Sequence, residues 1–204
     1  VRVVREDPDR RGLLYAGTEF GIYTSLDDGR SWRPFQLNLP ITPITDLAVK
    51  RGDLVVATQG RSFWILDDLS VVHQMSEEVA DSDFHLFDPR PVVRWVDQSG
   101  GGGRGAVGQN PPFGAIIHYT LPAGLDEEDA GEVKLEILDS GGEVLRTLSS
   151  TKPEPQAPSP WRRFFPERAE PPLLDAREGA NRYVWGLTLA DASLVDDAVL
   201  WGWP

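Results

Sequence analysis

The sequence predicts an all-β fold, the last two blades of a β-propeller followed by a β-sandwich, and three features carry that expectation. First, the N-terminal third repeats with a period of about 40. Sliding Leu14 onto Leu54 aligns residues 14–18 with 54–58 and residues 23–28 with 63–68, and such a period built from short β-rich segments is the signature of a four-stranded blade. Second, Ser25-Leu26-Asp27-Asp28-Gly29-Arg30-Ser31-Trp32 has the composition of a tight turn between strands, because short polar side chains bond nearby backbone groups and Gly29 tolerates positive φ. Third, Val133, Leu135 and Ile137 alternate with Lys134 and Glu136, the period-2 pattern of a half-buried strand.

Within the repeat, a strand over 21–25 enters the turn and a second, anchored by Trp32, leaves it, with the Trp32 ring laid back over the turn and buried. The next copy reads as strands over 44–49, 53–58 and 62–66; the run Leu54-Val55-Val56-Ala57 suits a strand covered on both faces. That copy lacks the Gly and Trp of the first turn and reads as a degenerate closing blade. Ser76 before Glu77 and Glu78 predicts an N-capped short helix. Residues 92–95 read as a short strand and Gln98 to Gly105 as a flexible Gly-rich tract. Strands then follow over 114–121, 132–138 and 144–148, the last two joined by the turn Asp139-Ser140-Gly141-Gly142. A Pro-rich loop over 151–172 precedes a strand over 181–187. The domains are therefore 1–75, the blades; 76–112, a connector; and 113–204, the sandwich. Two blades do not close a ring of four to eight, and the chain opens in mid-domain with no initiator Met, so it reads as the C-terminal part of a longer protein or as one that assembles with missing parts.

Composition narrows the partners. With 20 basic and 32 acidic residues, a net charge of -12, the surface repels phosphate backbones, which argues against nucleic acid. No run of about 18 apolar residues offers a membrane span. Zero cysteines exclude disulfides and thiolate metal sites.

Ser25, Asp27, Gly29, Ser31 and Trp32 fill all five positions of Ser-x-Asp-x-Gly-x-Ser/Thr-Trp, and here the chain resembles the Asp-box of the BNR-repeat β-propellers. That family includes sialidases, sortilin-like receptors, xyloglucanase-like glycosidases and many exported bacterial "glycosyl hydrolase-like" proteins, and in it the Asp-box is structural. A second resemblance, carried by Val133, Leu135, Ile137, Asp139 and Gly142 and then Gly179, Asn181 and Trp185, is to the Ig/fibronectin-type domains that follow bacterial propellers. The likeness implies export to the periplasm or the exterior. It also implies that turns between second and third strands line the ligand face, with the Asp-box on the opposite one. Glu19, Phe20, Gln59 and Arg61 then become the ligand-binding candidates, joined by the connection 39–45. Glu19 is the one candidate acid or base, and Arg61 could take a carboxylate bidentately; the plain alternative is rim residues or a mutual salt bridge.

Other signals read as structural. His73, His85 and His118 are too scattered for a metal motif, and neither a nucleophile elbow nor a P-loop is present. Asp126-Glu127-Glu128-Asp129 reads as a solvated loop, and Trp161-Arg162-Arg163-Phe164-Phe165 as aromatic anchors pinning a loop. No cofactor is expected. The sequence favours a scaffold that helps recognise carbohydrate or peptide; the alternative is part of a glycoside hydrolase, which needs two carboxylates across the scissile bond, most of them upstream.

Overall fold

The computed structural model describes residues 1–94, 110–124, 131–152 and 172–189, and its regular structure there is mostly antiparallel strands. The Gly-rich tract, the acidic run 126–129, the aromatic anchors at 161–165 and the Trp201-Gly202-Trp203-Pro204 end lie outside the described residues. No described helix is long and apolar enough to cross a membrane.

Four strands make the first sheet as an up-and-down meander: β1 (Val3–Glu6), β2 (Leu14–Gly17), β3 (Ile22–Ser25) and β4 (Arg33–Pro34). Three more make the second: β5 (Ile44–Lys50), β6 (Asp53–Thr58) and β7 (Phe63–Leu66). The chain leaves β7 into α1 (Ser70–Gln74), a helix whose N-cap Leu69 offers no side-chain acceptor. Next comes α2 (Glu77–Ala80), where Ser76 Oγ accepts from Val79 N at 3.1 Å and Glu77 and Glu78 occupy the first turn.

Alternation sorts the side chains. In the second sheet Leu47, Val56 and Trp64 stand in one cross-strand row and Val49, Leu54 and Leu66 in the next, all on one face. That face packs on Val3, Leu13, Tyr15 and Ile22 to form the first core, with Leu13 and Tyr15 fully buried. At Gly17 the sheets meet closely: a Cβ there would lie 2.6 Å from Ile44 Cγ2 on the second sheet, and 2.7 Å from Val3 Cγ1 on its own.

The second core belongs to the C-terminal half. β8 (His85–Leu86) pairs with β9 (Ala115–Leu121), which pairs with β12 (Gly179–Trp185), while β10 (Lys134–Leu138) and β11 (Val144–Ser149) form a hairpin. Tyr119, Leu121 and Tyr183 from the first of these sheets meet Leu148 and Leu174, with Val133, Leu135 and Trp185 packed alongside. So residues 85–86, expected in the connector, belong to the C-terminal sheet.

Three local expectations are corrected. Residues 92–94 form no strand; Pro91 withholds a backbone donor there, and Val92 and Val93 line a cleft instead. The last described strand ends at Trp185 rather than 187, because Leu187 sits in the left-handed region at φ 56°. Trp32 does lie against the turn, its Nε1 donating to Gly29 O at 3.1 Å, yet its ring stays 39% exposed.

Candidate functional site

Two hairpin turns and one connection meet at one end of the two N-terminal sheets. Thr18 closes the β2–β3 turn through Oγ1, which donates to Gly21 O at 3.0 Å and accepts from Phe20 N at 3.1 Å. Thr58, its counterpart 40 residues on, does the same for the β6–β7 turn, donating to Ser62 O at 2.6 Å and accepting from Arg61 N at 3.2 Å. The connection between sheets is laced to both: Ile44 N donates to Thr18 O, Gln59 N to Pro43 O, and Thr42 Oγ1 to Gln59 O. These bonds hold the side chains of Glu19, Phe20, Gln59 and Arg61 on one end of the fold.

Glu19 does not pair with Arg61. Its carboxylate is gripped by Arg2, Nε to Oε1 at 2.7 Å and Nη2 to Oε2 at 3.0 Å, in the bidentate fork that suits guanidinium and carboxylate. The third donor, Nη1, reaches Gln59 Oε1 at 3.3 Å, so Arg2 bridges the two turns. This hydrogen bonding holds the Glu19 carboxyl below the usual carboxylate range. Beside the bridge Phe20 is 74% exposed and Ile41 78%, and the Arg61 guanidinium has no partner among the described residues. Arg2 escaped the sequence reading because no motif marks it; it arrives here because β1 pairs with β2 and Arg2 N bonds Gly17 O.

The opposite end holds the turn Ser25 to Trp32. Ser25 Oγ donates to Asp27 Oδ1 at 2.7 Å and accepts from Gly29 N at 2.8 Å; Asp27 in turn accepts from Ser31 N at 2.8 Å and from Ser31 Oγ at 2.5 Å. Asp28 and Gly29 both take positive φ, 61° and 82°. The Ser25, Asp27 and Ser31 side chains thus spend their polar atoms on one another and on the amides of the turn. The bonds from Ser31 and Ser25 lower the Asp27 carboxyl to about 2. A depressed folded-state value means stability that is complete above the ordinary carboxylate range and lost as pH falls through about 2. Melting temperatures of wild type and Asp27→Asn are therefore expected to differ at pH ~5 and to converge by pH ~2; a gap independent of pH would exclude the charge as the cause.

Near that end Asp7, Asp9 and His73 bring their ligand atoms within 4.8 Å of one another, a set the scattered histidines did not suggest. The buried Asp7 carboxylate is already engaged: Oδ1 accepts from Asp9 N at 2.9 Å and Arg10 N at 3.2 Å, and Oδ2 meets Tyr15 OH at 3.2 Å and His73 Nε2 at 2.9 Å. Burial first, then Asp7, raises the Tyr15 phenol far above its ordinary value. The arrangement fastens α1 to the first sheet.

A cleft of about 470 Å³ lies elsewhere, between the second sheet and β9. Asp53, Asp67, Asp68 and Arg90 face into it. Arg90 donates to Asp53 Oδ1 at 2.6 Å and so ties the segment after β8 to the second sheet, while Asp53 also accepts from Asp68 N and Asp68 from Ser70 N within the N-terminal half. Burial, then Asp53, raises the Asp67 carboxyl.

Compared with known proteins, the chain matches no family model, no curated protein and no solved structure.

Proposed function

We propose that this chain supplies two blades of an Asp-box propeller and an Ig-like sandwich, and that the Arg2–Glu19–Gln59 end of the blades is one rim of a site recognising carbohydrate or peptide. The single observation that carries this reading is the bridge itself. A bidentate ion pair half open to solvent holds two turns in register beside an exposed aromatic ring and an Arg61 guanidinium that is unpaired among the described residues. Sugars and peptides are bound by such combinations of flat apolar surface and fixed polar groups. The internally bonded turn at Ser25 to Trp32 supports the family likeness and the structural role that the likeness assigns to it.

The same bridge weighs against catalysis by Glu19. A general acid or base works best with a value near the operating pH, and Arg2 moves this carboxyl the other way. Recognition is thus the better reading, with export and ring-completing sheets of the same kind as its accompaniments.

Glycan and peptide arrays probed with the wild-type chain, then with Arg2→Ala, Phe20→Ala and Arg61→Ala, test it. Each variant is expected to weaken capture about tenfold, the worth of one good contact of roughly 1.4 kcal/mol. Capture that all three variants retain at full strength would place the site elsewhere, and turnover of a bound glycan would favour the hydrolase.

A further inference from the structure

We infer that the cleft between the second sheet and β9 receives a lysine side chain from a peptide segment of a partner, its ammonium meeting the Asp67 carboxylate and its alkyl stem lying along the apolar wall. The inference uses none of Arg2, Glu19, Gln59 or Arg61, so it and the ligand reading above can each fail alone. It starts from a register. Leu54 pairs with Leu66 and both belong to the first core, so the residue before the one and the residue after the other, Asp53 and Asp67, turn to the opposite face and line the cleft. Two like charges thus stand as cross-strand neighbours, an arrangement that costs stability unless something answers it.

Among the described residues one of the two is answered. Asp53 takes the Arg90 guanidinium at 2.6 Å and the amide of Asp68 at 3.0 Å, and Asp68 takes the amide of Ser70. Asp67 has no hydrogen bond or ion pair among the described residues. Burial, then Asp53, raises its carboxyl, and Arg90 and Arg182 oppose them with less effect. A half-buried carboxylate is therefore held with no counter-charge in contact, and a cation brought to it makes the interaction that the fold leaves unmade.

The rest of the cleft selects the stem that carries the charge. Its volume, about 470 Å³, is that of a ligand cleft. Val92, Val93 and Ile116 line it, with Val93 81% exposed and Val92 40%, so apolar surface is left in water beside the open carboxylate. A lysine side chain matches both, carrying a compact ammonium at the tip of a flexible apolar stem. A guanidinium fork would want a second acceptor, and Arg90 already holds the Asp53 carboxylate. Asn110, exposed and also lining the cleft, offers the donor and the acceptor that a peptide backbone takes. The chain's net charge of -12 draws basic partners towards it.

Isothermal titration calorimetry on the full 204-residue chain reads the result, with a blocked peptide of one lysine between alanines as the probe. Wild type is expected to bind it saturably, more weakly as salt rises, and to ignore the same peptide with norleucine or glutamate in place of the lysine. Asp67→Asn is expected to bind about tenfold more weakly. It should unfold at no lower a temperature, because it also relieves Asp53 of a like charge; an Asp67 that merely braced the fold would lose stability instead. Val93→Ser tests the wall and is expected to weaken binding, and Arg182→Ala, which removes a competing cation, to strengthen it. No binding by wild type, a norleucine peptide that binds as well as the lysine one, an Asp67→Asn that binds like wild type or an Arg182→Ala that binds less well would each overturn the inference. Butylamine, with the same stem and charge but no backbone, would overturn it too by binding as tightly as the peptide, since the occupant would then be a free amine.

Discussion

Replacing Asp7 by alanine is expected to destabilise the chain by about 3–5 kcal/mol, the usual penalty for removing one member of a buried charged network. The side chain is wholly out of solvent, and four donors converge on it from three parts of the chain: the loop amides of Asp9 and Arg10, the Tyr15 phenol on β2 and the His73 ring on α1. Alanine would strand all four, and Tyr15, itself fully buried, has no route to water. Asparagine keeps the shape and both acceptor contacts of Oδ1 while removing the charge, so Asp7→Asn is expected to lose less than half as much. Urea unfolding of wild type and both variants measures the two losses. If alanine and asparagine cost the same, the charge is what matters and the amide bonds are incidental; if neither costs ~1 kcal/mol, the network is not holding α1 to the first sheet. The loss should also free α1, which limited proteolysis after Arg10 or near His73 would report.

The repeat was legible because it lives in side-chain chemistry that a strand face must keep. Tyr15 and Val55, Ala16 and Val56, Thr18 and Thr58 fall at the same places of the two sheets, and the offset of 40 is the offset of those positions. It is not the offset of the third strands. There Thr24 corresponds to Ile65, one residue further, because the second turn spends five residues from Thr58 to Ser62 where the first spends four from Thr18 to Gly21. The identical Leu, Asp and Asp that invited the alignment thus sit one step out of sheet register. Backbone hydrogen bonding sets that step, and sequence matching does not see it.

What escaped was what pairing alone creates. β1 carries no clean alternation, β8 has two residues, and α1 starts from Leu69 with no capping side chain, so none has a local signal. Arg2 became part of the candidate site only through the strand pair that sets it beside Glu19. The ring of Trp32 was expected to be buried on the strength of its size; its Nε1 needs the Gly29 carbonyl, and meeting that bond keeps the ring at the surface. In each case the residue's type was readable and its neighbours were not.

The two cores lead to the second large effect. Leu54, 1% exposed at the centre of the first core, is expected to cost about 2–5 kcal/mol when cut to alanine, because the face of β6 it occupies is clamped between Val49 and Leu66 and has little freedom to collapse. Leu148→Ala in the second core is expected to cost a comparable or smaller amount. Among the described residues none belongs to both clusters, so the two losses are expected to stay where they are made. Hydrogen exchange read by mass spectrometry separates them. Leu54→Ala should speed exchange in β2, β5 and β6 and leave β9 and β12 protected, and Leu148→Ala should do the reverse. Equal acceleration in both halves from either variant would mean that the Arg90–Asp53 junction couples them into one cooperative unit. That outcome would also change the reading of the candidate site, since a variant in the second core would then weaken the turns that hold Glu19 and Gln59. With separate cores, the Arg2 bridge depends on the two N-terminal sheets alone, and loss of the second core should leave the capture proposed for that end intact.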